Sequence, residues 1–279
     1  MAPIRIIEVG PRDGLQNESR FVPTEVKISF VDALSECGFD EIEVSSFVSA
    51  EWVPQLADAA AVFEGIRRKP GVRYMALVPN ERGLERAQRA SVDKIAVFTA
   101  ASETFSRKNT NASIAENLKR FKPVIAAAGV PVRGYISTAF HCPYEGPIAP
   151  QQVLPVAQAL IDLGCSELSI GDTIGRATVG EVRSLLDVLL PHSRTVDVAL
   201  HFHDTYGNAV ANARAGYELG IRIFDASAGG IGGCPYAPGA PGNVATEALV
   251  AEFETGVDPE TLKHAQEIVR PYRAVSGER

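Results

Sequence analysis

The sequence predicts an α/β protein, a TIM (β/α)8 barrel with an extra C-terminal helix, on three observations. Short β-rich runs alternate with longer amphipathic runs from one end to the other. Eight such pairs fit into about 250 residues, which suits a barrel better than a doubly wound sheet with fewer strands. No linker or low-complexity segment divides the 279 residues, so a single barrel domain over residues 1–279 is expected, with an extra helical segment at about 258–279.

Taken in order, residues 4–9 form the first strand, and apolar spacing near 3.6 makes 24–37 a helix that Gly38 stops. Strand 41–44 leads to helix 53–68, strand 73–78 to helix 81–89, and strand 94–99 to helix 113–128, which Gly129 ends. Strand 131–137 feeds helix 150–163, stopped by Gly164, and strand 167–170 feeds helix 178–190. Strand 196–201 closes in the turn residues Asp204 and Gly207, ahead of helix 207–219 and its stop at Gly220. After strand 223–227 a glycine-rich run precedes a helix starting at 246. Asp258 then reads as an N-cap and Pro259 as the first residue of the extra helix.

Composition narrows the function classes. With 27 Lys and Arg against 34 Asp and Glu, the net charge is -7, and the basic residues are scattered, which argues against a nucleic-acid partner. No run approaches the roughly 18 apolar residues of a membrane span, and the N-terminus lacks a long apolar region, so a cytoplasmic protein with no membrane partner is expected. A homo-oligomer is compatible with all of this. Cys37, Cys142, Cys165 and Cys234 are far apart with no C-x-x-C, so neither a zinc ribbon nor a disulfide framework is implied.

In a barrel of this kind chemistry sits at the carboxyl ends of the strands, so candidate residues are sorted by that test. The leading candidates are His201 and His203 at the end of the seventh strand. Side chains two apart on a strand share a face, about 6 to 7 Å from one another, and both imidazoles can reach one metal ion. Asp13, just beyond the first strand, offers a hard oxygen ligand, and Asn243 offers an amide oxygen, although it also suits an N-cap. Arg12 brings a permanently charged planar guanidinium suited to a carbonyl or enolate oxygen. Glu43 shares an inward face with Glu41 and is placed to pair with Arg12 on the neighbouring strand, in a structural or a functional role.

Asp172 reads either as a carboxylate that orients a ligand histidine or as a cap for the next segment. His141, on a Pro-containing loop, ranks below the other two histidines as a ligand. The run from Ala228 to Asn243 has the glycine content of a mobile flap carrying one thiol, Cys234, over the site. It lacks a G-x-x-x-x-G-K-[ST] pattern, which argues against a nucleotide-triphosphate site. Cys142-Pro143-Tyr144 repeats Cys234-Pro235-Tyr236 outside any glycine-rich segment.

Together, Glu8-Val9-Gly10-Pro11-Arg12-Asp13-Gly14-Leu15-Gln16-Asn17, Ser46-Phe47-Val48-Ser49, Gly171-Asp172-Thr173-Ile174-Gly175, His201-Phe202-His203-Asp204-Thr205-Tyr206-Gly207 and Gly230-Ile231-Gly232-Gly233-Cys234-Pro235-Tyr236 resemble the hydroxymethylglutaryl-CoA lyase family, in order and across nearly the whole chain. The resemblance implies Mg or Mn held by Asp13, His201, His203 and Asn243. It implies catalytic roles for Arg12, Glu43, His201 and Cys234, with Asp172 supporting them. The implied substrate is an acyl-CoA, 3-hydroxy-3-methylglutaryl-CoA, cleaved to acetyl-CoA and acetoacetate. Alternatives are a longer 3-hydroxy-3-alkylglutaryl-CoA, a Claisen-type synthase or aldolase on the same metal barrel, and a non-catalytic metal-binding barrel. The C-terminal segment from Arg270 matches nothing in the family, and Arg107-Lys108 is only a guess for contacts to the CoA nucleotide.

Overall fold

The computed structural model describes residues 2–232 and 242–273. Eight parallel strands close into a barrel: β1 (Arg5–Glu8), β2 (Glu41–Ser46), β3 (Arg73–Leu77), β4 (Lys94–Ala100), β5 (Val132–Ser137), β6 (Glu167–Asp172), β7 (Asp197–Phe202) and β8 (Ile223–Ala226), with β8 pairing back onto β1. The sequence-derived barrel is therefore the observed one. Around it lie α1 (Thr24–Ser35), α2 (Ala59–Gly65), α3 (Glu81–Arg89), α4 (Glu103–Thr110), α5 (Ile114–Ala126), α6 (Pro150–Leu163), α7 (Val179–Leu189), α8 (Ala209–Glu218) and α9 (Thr246–Glu252), and α10 (Pro259–Val269) packs on α1.

Local chemistry starts and stops these helices. Ser113 with Glu116 and Thr178 with Glu181 form reciprocal capping boxes ahead of α5 and α7. Asp258 accepts the Thr261 N–H ahead of α10, as its sequence suggests, and Gly164 closes α6 with φ +106. The expected helix over 53–68 is instead a 3-10 turn at Pro54–Leu56 followed by α2, because Pro54 opens a turn of its own. Elements without a sequence expectation include α4, capped by Ser102, a π-helical turn at Gly10–Gly14 and a short antiparallel hairpin, His141–Cys142 with Gly146–Pro147. The extra C-terminal segment is helical to Val269 and continues as a 3-10 turn at Arg270–Tyr272.

Period-two alternation sorts the strands. Outward residues such as Ile42, Val97, Ile136 and Leu200 pack under the helices, while Ile7, Val9, Met75, Leu77, Ala96 and Ala199 fill part of the interior. The rest of the interior is ionic. Lys94 Nζ donates to Glu41 Oε1 at 2.6 Å and to Glu167 Oε1 at 3.0 Å, and Arg133 pairs with Glu167 at 3.1 Å and Asp225 at 2.5 Å. Every one of these groups is buried, so pairing is what makes their presence tolerable.

Glu8 faces outward yet is fully buried, and it ties three segments together. Its Oε1 accepts the N–H groups of Gly10 and Ala228, and its Oε2 accepts the Thr246 hydroxyl. Burial pushes its carboxyl from 4.5 to about 7, with those hydrogen bonds opposing. A folded pKa above the unfolded one means that the folded protein holds an extra proton between those values. Stability from this group therefore falls as pH rises through that window, by about 2 to 3 kcal/mol between pH 5 and pH 8. Glu8→Gln, which keeps the shape without the charge, is expected to remove about that much of the decline, read from urea unfolding at the two pH values. Asp172, buried and raised to about 6, adds a decline of its own that the variant leaves in place.

Candidate active site and metal centre

The carboxyl-terminal mouth of the barrel opens on a cavity of about 320 Å³ whose lining includes the polar Arg12, Asp13, Tyr135, His201 and His203 and the apolar Val48, Leu77, Phe98 and Phe105. Arg12 and Asp13 come from the π-helical turn at Gly10–Gly14, which folds back so that the Asp13 N–H donates to the Val9 carbonyl. His201 lies one residue before the end of β7, and His203 just beyond it, with ring centroids 5.4 Å apart. Asn243 pairs with His203 in an isolated antiparallel bridge, which brings a residue forty positions on to the same rim.

One oxygen or ring nitrogen from each of Asp13, His201 and His203 lies within 4.8 Å of the others. Asn243 Nδ2 donates to Asp13 Oδ2 at 2.8 Å, so all four residues expected to hold a metal meet at one point. The donor set fits a divalent ion. His203 Nδ1 and Asn243 Oδ1 are buried without a hydrogen-bond partner among the described residues, and a native protein normally satisfies such atoms. The barrel interior also holds five carboxylates (Asp13, Glu41, Glu43, Glu167, Asp225) against three buried cations (Arg12, Lys94, Arg133), with Arg73 a further partner for Glu41 at the opposite, solvent-facing end. A dication at Asp13 offsets that negative excess.

The electrostatics prepare the ligands. Burial alone would raise Asp13, but Arg12, His201 and His203 together with the Asn243 bond outweigh it and hold the carboxyl at about 2. Burial, reinforced by the neighbouring His201, pushes His203 down to about 4, which leaves its ring neutral and able to ligate. His201 goes the other way, because its bond to Asp225 and the charges of Asp225 and Asp13 overcome burial.

Arg12 and Glu43 form a buried pair. Arg12 Nε donates to Glu43 Oε2 at 2.8 Å, Nη2 lies 2.7 Å from the same oxygen, and Nη1 donates to Asp13 Oδ1 at 2.6 Å. Tyr135 supports the pair from behind. Its hydroxyl donates to Glu43 Oε2 at 3.0 Å, and its ring lies 5.4 Å below the guanidinium carbon. Glu43 thus touches Arg12 and Tyr135, and it is raised by burial against the pull of Arg12.

Other expected residues fall elsewhere. Asp172 is buried, but its oxygens accept the N–H groups of Arg176 and Ala177, so its side chain caps the loop after β6. His203 reaches it through a backbone bond to its carbonyl. His141 sits on a two-residue hairpin and pairs with Glu181 at 2.8 Å, away from the cluster. Arg107 and Lys108 lie on α4, Arg107 paired with Glu103 and Lys108 over the Tyr144 ring. Cys234 lies outside the described residues, as do Pro241 and the tail beyond Arg273. The part of the glycine run that is described is packed, with Gly232 buried against Gly14 and Asn243. Tyr135 and Asp225 were missed by sequence reasoning. The available signal for Asp225 was a lone acid in the apolar run Ile223-Phe224-Asp225-Ala226, at an inward position.

Comparison with known proteins follows the same line. The family model described as HMGL-like matches residues 3–270. A protein of Danio rerio named "3-hydroxy-3-methylglutaryl-CoA lyase, cytoplasmic" is 52% identical over 263 residues, covering 91% of this chain and 78% of its own. One of Pseudomonas aeruginosa named "3-hydroxy-3-isohexenylglutaryl-CoA/hydroxy-methylglutaryl-CoA lyase" is 51% identical over 270 residues, covering 94% of this chain and 90% of its own. The crystal structure of the HMG-CoA lyase from Brucella melitensis matches with a TM-score of 0.95 at 50% identity, covering 98% of this chain and 99% of that one.

Proposed function

Because the chain belongs to the HMGL-like family, we propose that it is a metal-dependent carbon–carbon lyase that cleaves 3-hydroxy-3-methylglutaryl-CoA into acetyl-CoA and acetoacetate. The observation that carries this reading is that the Arg12 guanidinium and the Asp13, His201, His203 and Asn243 cluster open on one cavity, joined by the Arg12–Asp13 bond. Two imidazoles and two oxygens without a thiolate fit six-coordinate Mg or Mn, and the imidazoles incline the set toward Mn. Bound there, the ion supplies a positive charge that orients the substrate and acidifies its tertiary hydroxyl.

The protein's own groups do the rest. Of the two candidate bases, Asp13 takes the hydroxyl proton, because a His201 ring that donates from Nδ1 and ligates through Nε2 has no lone pair left to accept it. Arg12, held from behind by Glu43 and Tyr135, donates to the thioester oxygen as it becomes an enolate. Cys234 returns a proton to the departing carbanion. Asp172 keeps the loop after β6 in place behind His203. The cytoplasmic designation of the Danio rerio relative supports the same compartment for this chain.

A second substrate is favoured by the apolar lining of Val48, Leu77, Phe98 and Phe105 and by the name of the Pseudomonas relative. That lining suits an alkyl group larger than methyl at C3. The test is acetoacetate release from a series of 3-hydroxy-3-alkylglutaryl-CoA compounds, with metal stripped by a chelator and then restored. Stripping is expected to lower turnover at least 100-fold and Mg or Mn to restore it. Failure to cleave any of the series, or condensation of acetyl-CoA with a 2-oxo acid instead, would overturn the reading.

A further inference from the structure

The two ring nitrogens of His201 face different partners. Nε2 lies 4.0 Å from Asp13 Oδ2, on the side of the ligand cluster, whereas Nδ1 lies 3.1 Å from Asp225 Oδ2. Asp225 is the register partner of His201 on the adjacent strand β8, so the two side chains rise from the same level of the barrel wall. Its carboxylate has little freedom to move. Oδ2 also accepts the Ser169 hydroxyl at 2.8 Å, and Oδ1 accepts Arg133 Nη2 at 2.5 Å.

Arg133 is itself fixed by Glu167, which shares Lys94 with Glu41. The chain of buried pairs thus runs from the far end of the barrel to the imidazole. With other donors converging on its oxygens, Asp225 is an acceptor toward His201, and the His201 proton belongs on Nδ1. That leaves the Nε2 lone pair on the side of Asp13, 4.0 Å from its Oδ2.

We propose that Asp225 is a positioning residue of the metal centre, fixing the Nδ1–H tautomer and the ring angle of His201 so that Nε2 can ligate, with Arg133 locking the carboxylate in turn. The proposal rests on the metal-centre reading above. It also moves to Asp225 the histidine-orienting role that the sequence offered for Asp172, whose side chain is spent on the backbone of Arg176 and Ala177.

The chemistry of an amide at this position gives the test. In Asp225→Asn the single amide oxygen stays on Arg133, which can only donate. The NH2 group then faces Ser169 and His201, and His201 must accept at Nδ1 and carry its proton on Nε2, pointing at the ligand site. Nitrogen-15 imidazole spectra of the metal-free protein, taken at a pH where the ring is neutral and assigned through loss of the signal in His201→Gln, are expected to show Nδ1–H in wild type and Nε2–H in Asp225→Asn. Mn(II) titration followed by electron paramagnetic resonance is expected to show a ten- to hundredfold weaker affinity in the variant.

An Nε2–H ring in wild type would overturn the proposal without any variant, so a misfolded Asp225→Asn protein would not shield it. Mn(II) binding within twofold of wild type in a folded variant would overturn the positioning role alone. A wild-type protein that takes up no Mn(II) would instead remove the metal centre, and this proposal with it.

Discussion

Arg12→Gln is expected to lower kcat for acyl-CoA cleavage by about 10³-fold or more, with a much smaller change in KM. Removing one preorganised donor from a developing oxyanion costs about 10²- to 10³-fold by itself. Arg12 does more than donate, because it also holds Glu43 through Nε and Nη2 and Asp13 through Nη1. Glutamine can replace only one of these contacts. Without the guanidinium, Glu43 loses the charge that opposes its burial, so its carboxyl rises further and takes up a proton rather than remaining a buried anion. That proton uptake limits the loss of stability, which for an uncompensated buried charge would be about 3 to 5 kcal/mol.

The measurement is therefore kcat and KM beside urea unfolding, and near-wild-type kcat in a folded variant would remove Arg12 from the reaction. Arg12→Lys is expected to rescue little. A point charge on a flexible stem cannot bind Glu43, Asp13 and a substrate oxygen together as a planar fork can.

What the sequence made legible was what local spacing encodes. His201 and His203 are recognisable because a strand puts alternate residues on one face, and the barrel because eight runs alternate in period. Arg12 facing Glu43 followed from the adjacency of the first two strands in this fold. Asp225 was hidden because its meaning depends on the register between β7 and β8, which sets it opposite His201 and which no run of residues on either strand reveals. Tyr135 was hidden for a similar reason, since it touches Glu43 across the barrel from β5. The Gly10–Gly14 segment is a helical turn that folds the Asp13 N–H back onto the Val9 carbonyl, a backbone path that the letters Asp13-Gly14 do not encode. In the Cys142-Pro143-Tyr144 tripeptide, Cys142 is buried at the hairpin with its sulfur 3.0 Å from the Ser102 hydroxyl.

Glycines carry the last expectation, because the sequence shows them as one run while the structure separates their duties. Gly232 has φ +99, a backbone state that L side chains rarely adopt. A Cβ there would lie 2.9 Å from Asn243 Nδ2, 2.9 Å from the Gly14 Cα and 3.2 Å from the Asp13 carbonyl oxygen. Two of these neighbours are backbone of the turn that carries Asp13, and the third is a proposed ligand side chain. Gly232→Ala must therefore push apart the two loops that supply Asp13 and Asn243, on top of about 1 to 3 kcal/mol for the left-handed conformation.

The expected result is at least a tenfold loss of Mn(II) affinity and a larger loss of turnover, since a shift near 1 Å at a reacting site costs about 10²-fold. Gly129→Ala is the control. Its φ of +69 strains an alanine in the same way, but no atom lies within 4 Å of the added carbon, and Gly129 belongs to the loop after α5. That variant is expected to lose stability while keeping its metal affinity. Equal metal affinity in both variants would mean that Gly232 is required for backbone conformation alone and that close approach of the two loops does not set the ligand geometry.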